Sequence, residues 1–218
     1  IMYVNYNATK ILINKSWNSY DLPSKYLGTY ELEVQNLIIQ SQKKNKKKYF
    51  INLGCGEGYH AICLMKKKVF QRFIGFEASD VAQSFLKKNL SINKMGQKAI
   101  IFKNANSNFL NNKVFEKYKL KDSFFLIDIE GAEFQILNPI NIKKLRKSKL
   151  IIEIHDFYKN PKNLIRNLKK FFRLKTISTE NRNIDEFKIL EHMHDNEKWL
   201  LMSEGRPKKM EWIFCEPK

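Results

Sequence analysis

The chain has 218 residues, 43% hydrophobic and 13% aromatic, with 40 Lys and Arg against 22 Asp and Glu for a net charge of +18. This length suits one domain with modest additions, and the chain is too apolar to be a disordered protein. Cys55, Cys63 and Cys215 are too few for a disulfide framework, and no apolar stretch approaches the ~18 residues of a spanning helix, which disfavours a disulfide-rich secreted module and an integral membrane protein.

The first 28 residues are polar and aromatic, with weak periodicity. Their opening stretch lacks the charged, apolar and small-residue order of a signal peptide; the three cysteines without a disulfide framework make a reducing, cytoplasmic setting the expectation. From Thr29 the pattern turns helical. Tyr30, Val34, Leu37, Ile38 and Ser41 share one face, Glu31 and Glu33 occupy the first turn, and the basic run 43–48 closes the helix. Residues 49–53 (YFINL) form a short apolar run closed by glycines and predict a buried strand. Residues 58–65 predict a helix and 72–76 (RFIGF) a second strand. Asp80-Val81-Ala82-Gln83 has the form of a capping box ahead of helical spacing at Ala82, Phe85, Leu86 and Leu90.

Residues 99–102 and 124–128 predict the third and fourth strands, and 131–137 a short helix stopped before Pro139. Residues 150–154 (LIIEI) predict the fifth strand and 163–172 a further helix. Residues 199–202 fit either a helix or a strand, and 211–215 (EWIFC) predict a terminal strand. Short apolar strands alternating with helices predict an α/β fold, a doubly wound and mostly parallel sheet covered on both faces. Ligands in such folds bind outside the carboxyl ends of the strands.

Each strand end carries a candidate. Gly54, Gly56 and Gly58 follow the first strand, where missing Cβ atoms let a ligand approach the backbone and the next helix offers free N–H groups. A tight turn without a ligand would use the same residues. Glu77 ends the second strand about 20 residues further on, where an acid can accept two ribose hydroxyl bonds. Asn104 ends the third strand and could read an adenine edge or serve the turn.

Asp128, Glu130 and Glu133 cluster after the fourth strand. Close carboxylates need a cation, a proton or a hydroxyl donor between them, or Glu130 and Glu133 serve the next helix dipole. Glu153 and His155 share a face at the fifth strand end, where His155 suits a general base near neutral pH. A divalent metal such as Mg2+ between Asp128 and Glu153 is an alternative way to activate a hydroxyl. The positive charge suggests an anionic partner (nucleic acid, acidic glycan or membrane surface), against which stands an A/T-rich coding bias that enriches Lys, Asn and Ile together.

The joint pattern resembles the class I S-adenosylmethionine-dependent methyltransferases. Within them, FFLIDIEGAEFQIL (124–137), LIIEIHDF (150–157) and Gly28-Thr29-Tyr30-Glu31 resemble the FkbM-type family. The resemblance implies S-adenosyl-L-methionine as cofactor and O-methylation of a small-molecule, sugar or glycan acceptor. It implies a cofactor-binding domain over 49–218, with 1–48 as a helical cap on the substrate side. It places Gly54, Gly56 and Gly58 along the methionine and ribose, Glu77 on the ribose and Asn104 near adenine. Asn52, Cys55, Glu57, Tyr59, Tyr30, Glu31 and Asp128 fall on the cofactor side. Asp128, Glu130, Glu153 and His155 would surround the transferring methyl, with His155 the first base and Asp128 the second. Residues 159–218 carry no motif of the family; apart from the resemblance, Glu204-Gly205-Arg206 and Trp212 are expected to help form the acceptor pocket.

Asn52 departs from the acid that the superfamily often carries two residues before the first glycine. A nucleic-acid methyltransferase is the alternative, opposed by the absence of an Asp/Asn-Pro-Pro-aromatic run at 128–131. A dinucleotide oxidoreductase is opposed by the G-x-G-x-G spacing.

Overall fold

The computed structural model describes residues 2–4, 9–12, 20–206 and 208–218. Strands β1 (Met2–Val4) and β2 (Thr9–Ile11) pair as an antiparallel hairpin. Helices α1 (Leu22–Leu27) and α2 (Leu32–Lys44) lead into β3 (Tyr49–Leu53), α3 (Tyr59–Lys66), β4 (Arg72–Phe76), α4 (Asp80–Ile92) and β5 (Ala99–Phe102). The chain continues through α5 (Val114–Lys117), β6 (Ser123–Ile127), α6 (Glu133–Ile136), α7 (Pro139–Leu145), β7 (Lys149–Glu153) and α8 (Lys162–Lys169). It ends with β8 (Phe172–Ser178), α9 (Asp195–Met202) and β9 (Glu211–Pro217). Among the described residues no helix is long and apolar enough to cross a membrane.

The main sheet has seven strands in the order β5-β4-β3-β6-β7-β9-β8. The first five are parallel, and β9 runs antiparallel between β7 and β8. Alternation sorts each strand to two faces. Ile51, Leu53, Phe125, Ile127, Leu150 and Ile152 enter one cluster, while Phe50, Phe73, Phe124, Leu126, Ile151 and Trp212 enter the other. Both faces are covered, as near-continuous apolar strands require. From β3 the chain winds outward to β4 and β5, then returns to place β6 on the other side. This reversal opens a crevice above the carboxyl ends of β3 and β6.

Several elements differ from the sequence expectation. Val34 and Ile38 of α2 enter the same cluster as Phe50 and Phe124, so this helix packs on the sheet. The helix expected from Thr29 starts at Leu32, with Glu31 in the left-handed region at φ 44°. The cap of α4 is Ser79, whose Oγ accepts from the Ala82 N–H at 3.2 Å. Gln83 closes no capping box; its Nε2 donates to the Glu77 carbonyl at 2.7 Å and ties α4 to the end of β4. Pro139 starts α7 instead of only ending a helix. Its fixed φ suits a first helical position, and Asn138 caps it by accepting from the Asn141 N–H at 3.0 Å. Phe172 belongs to the edge strand β8 and not to the preceding helix, and residues 199–202 are helical.

Candidate functional site

A cavity of about 680 Å³ opens at the carboxyl ends of β3, β4 and β6. Its floor is the turn after β3. Gly54 has φ 76°, and a Cβ there would lie 1.6 Å from the Asp128 carbonyl oxygen. Only glycine lets this turn pass so close to the end of β6. The Gly54 and Cys55 N–H groups both donate to the Phe76 carbonyl, at 2.9 and 3.3 Å, which fixes the turn against β4. Gly58 serves packing, since a Cβ on it would meet Leu86 Cδ1 of α4 at 2.4 Å. It does not line the cavity.

Glu77 faces the turn. Its Oε2 accepts from the Gly56 N–H at 2.8 Å, and its Oε1 accepts from the Ser79 N–H at 2.9 Å. Each oxygen keeps a second lone pair for a ligand hydroxyl. Asn52, Gly54, Cys55, Gly56, Glu57 and Tyr59 line the cavity from the β3 side. Tyr30, Glu31, Glu77, Asn104, Asp128 and Glu130 complete the expected set around it. Burial, and then the charge of Glu77, push the Cys55 thiol well up, so it is held as a thiol.

Several of these acids are already paired. The Lys25 ammonium lies 2.7 Å from Glu57 and 2.9 Å from Asp21, and 4.8 Å above the Tyr30 ring. Burial opposes the charge of Lys25, but Glu57 and Asp21 outweigh it and raise its pKa. Glu31 sits 2.9 Å from His60 Nε2 and also meets Arg206. Burial would raise its pKa, yet His60 and Arg206 pull it down to about 2.

Behind Asp128 lies a second cluster, which does not line the cavity. His155 is 2% exposed and its Nδ1 stands 3.1 Å from Glu133 Oε1, which also accepts from the His155 backbone N–H at 3.0 Å. His155 Nε2 points between Asp128 Oδ1 at 3.6 Å and Glu130 Oε2 at 3.4 Å. Burial works against a charged imidazole here. The hydrogen bond and charge of Glu133, with Glu153 and Glu130, nonetheless raise its pKa above the usual value. Burial, Glu153 and Glu31 push the Asp128 carboxyl well up. Glu133 was legible only as an acid near a helix start; its role as the partner of His155 depends on α6 packing against the end of β7.

Glu153 holds Arg206 and Trp212. Its Oε1 accepts from Arg206 Nη1 at 3.0 Å, and its Oε2 accepts from Trp212 Nε1 at 3.2 Å. Ligand atoms of Asp128, Glu153 and His155 lie within 4.8 Å of one another. The expected metal between Asp128 and Glu153 nevertheless does not fit this donor set. The Arg206 guanidinium, 3.0 Å from Glu153, already supplies the positive charge that close carboxylates need, and it would repel a second cation.

Residues 20–187 match the family model described as the methyltransferase FkbM domain. No curated protein matches the chain significantly. Among solved structures, precorrin-6y C5,15-methyltransferase from Geobacter metallireducens superposes with TM-score 0.55 at 10% identity, covering 99% of this chain and 98% of its own. Sp1610 of Streptococcus pneumoniae, a proposed tRNA (m1A22) methyltransferase solved with S-adenosyl-L-methionine, gives TM-score 0.53 at 15% identity over 85% of this chain and 72% of its own. The methyltransferase domain of a bacterial Hen1 gives TM-score 0.51 at 14% identity over 85% and 97%. At these identities the likeness is one of fold.

Proposed function

Because the chain belongs to the FkbM methyltransferase domain family, within the class I S-adenosylmethionine-dependent methyltransferases, we propose that it methylates a hydroxyl of a sugar, glycan or small metabolite. The donor fits the residues present: a glycine turn too tight for a Cβ, a carboxylate at Glu77 facing that turn, and a cavity of about 680 Å³. Bound there, the donor supplies a methyl group already activated by its sulfonium. The chain's task is to align the acceptor and remove one proton.

The observation that carries the reading is the Glu133–His155 pair. Glu133 takes the Nδ1–H, which leaves the Nε2 lone pair free as a base beside Asp128 and Glu130. With the donor held by the Gly54 turn and Glu77, its methyl group would be available to the acceptor oxygen, and His155 Nε2 would take up the hydroxyl proton. The resulting imidazolium is stabilised by the surrounding carboxylates. The mouth also favours an uncharged acceptor. Glu31 and Glu57 are balanced there by His60, Arg206 and Lys25, while Glu77 and Glu130 add negative charge that repels a phosphate backbone.

Titration calorimetry with S-adenosylhomocysteine tests the donor site. Glu77→Ala is expected to weaken binding by about 10-fold or more, through two lost hydroxyl bonds and a loosened Gly56 turn. A methyl-uptake screen of sugars, glycans and small alcohols against RNA then tests the acceptor class. Uptake by RNA alone would overturn the hydroxyl reading.

The acid limb of the pH profile tests the base. His155 must be neutral to accept a proton, so activity falls as pH drops through its raised pKa. Removing the Glu133 charge removes the largest raising influence. Glu133→Gln is therefore expected to move the acid limb of kcat to lower pH and to lower its plateau about tenfold or more. An unmoved limb would separate Glu133 from the proton transfer.

A further inference from the structure

The loops that precede the strands interlock at the sheet edge opposite the cavity. The Lys48 N–H donates to the Asp122 carbonyl at 2.7 Å, and the Gln71 N–H donates to the Lys48 carbonyl at 2.8 Å. These bonds join the entrances of β3, β6 and β4. Lys47 Nζ reaches the carbonyls of Lys121 at 2.7 Å and Lys147 at 2.9 Å, which adds the entrance of β7. At the far end Lys218 Nζ donates to the Lys169 carbonyl at 2.8 Å, beside the start of β8.

Each of these entrances presents exposed cations, among them Lys46, Lys48, Lys68, Lys121, Lys147 and Lys170. Acids are fewer there: Asp122 lies beside Lys121, and Glu216 lies 3.6 Å from Arg173 at the start of β8. Glu31, Glu57, Glu77, Asp128, Glu130 and Glu153 stand at the opposite edge. Lys25, Lys103 and Lys208 also stand at that opposite edge, but each pairs there with an acid, whereas among the described residues Lys46, Lys48, Lys68, Lys121, Lys147 and Lys170 form no ion pair; a coding bias toward Lys would not produce that division. The molecule is polarised along its strands.

We propose that this lysine edge docks the enzyme on an anionic bilayer surface, with the catalytic mouth facing away from it. Three features favour a lipid surface over a nucleic acid. The cations are mostly Lys, whose flexible, hydrated ammonium suits diffuse charge, whereas phosphate recognition by geometry uses Arg forks. No exposed aromatic ring among the described residues belongs to these loops, so nothing there stacks on a base. The five-residue strands, at about 3.3 Å per residue, put roughly 17 Å between this edge and the cavity, so a nucleic acid bound here would not present its acceptor atom.

Flotation of the whole chain with vesicles decides the matter. At about 0.1 M salt it is expected to float with phosphatidylcholine vesicles carrying about 30 mol % phosphatidylserine and not with phosphatidylcholine alone. Roughly 0.5 M salt should release it. The combined Lys46→Glu, Lys48→Glu, Lys121→Glu and Lys147→Glu variant should lose at least about 10²-fold in partitioning, at about fivefold per cation, while the matching Lys→Arg variant keeps it. The thermal midpoint checks that each variant folds. If the fourfold reversal unfolds, Lys68→Glu with Lys170→Glu gives the same reading at a smaller loss. Failure of the wild type to float, or unchanged flotation of a folded reversal variant, overturns the proposal. So does a single-stranded RNA that binds tighter than the vesicles and is lost in the same variant. None of these readouts depends on methyl transfer.

Discussion

Replacing His155 by Gln is expected to lower kcat by about 10²–10⁴-fold while changing S-adenosylhomocysteine affinity by less than about threefold. The separation follows from position. His155 does not line the donor cavity, and its Nε2 looks out between Asp128 and Glu130, where an acceptor hydroxyl would enter. Gln keeps a polar group against Glu133 but cannot take up a proton, so the site stays filled while the base is gone. The alternative base, Asp128, sits on the cavity wall, and its substitution would disturb donor binding as well as turnover. Single-turnover rates with a saturating acceptor, beside calorimetry, distinguish the two. Full activity in the His155→Gln variant would remove His155 from the reaction and leave Asp128 as the base.

What the sequence disclosed and what it hid follow from the range of the interactions. The first five sheet strands and the Gly54 turn were legible because each is set within a few residues, by apolar runs and by glycines between a strand and a helix. Glu77 was legible because a strand end and a fixed offset place it. Strand β8 was not. As an edge strand it exposes Arg173, Lys175 and Thr176, and its apolar alternation at Phe172 and Leu174 slips phase at Ile177, too short a run to read. Helix α7 was hidden by the double meaning of proline, which stops one helix and starts another. The cap of α4 was displaced by one residue because Ser79 and Asp80 both suit an N-cap, and the backbone bends at the first. Glu133 and Arg206 were hidden most deeply. Their partners lie 22 residues away in one case and 53 and 175 in the other, and only packing brings them together.

Arg206→Met is expected to destabilise the fold by about 3–5 kcal/mol near pH 8, the range for stripping one partner from a buried charge cluster. One guanidinium here meets three carboxylates. Nη2 meets Glu31, Nη1 meets Glu153 at 3.0 Å, and Nε meets Glu204 at 2.7 Å. Its plane also lies 5.6 Å from the Tyr30 ring and 5.5 Å from the Trp212 ring. Met preserves the packing against those rings and removes only the charge. Glu31 keeps His60, and Glu204 keeps Arg182 at 2.9 Å, but Glu153 is left with a single indole donor.

The pH dependence identifies that residue. Burial and Glu31 already hold the Glu153 carboxyl up at about 7, against the pull of Arg206. A raised carboxyl costs stability as pH climbs from its unfolded range through that value. Without Arg206 the value rises further, so the penalty is largest above pH 7 and shrinks toward pH 5, where Glu153 binds a proton. Urea unfolding of both proteins at pH 5 and pH 8 is expected to show the smaller gap at pH 5. Adding Glu153→Gln to Arg206→Met should recover part of the loss at pH 8. A gap that is equal at the two pH values would mean that Arg206 holds the fold by its packing on Tyr30 and Trp212 and not by its charge.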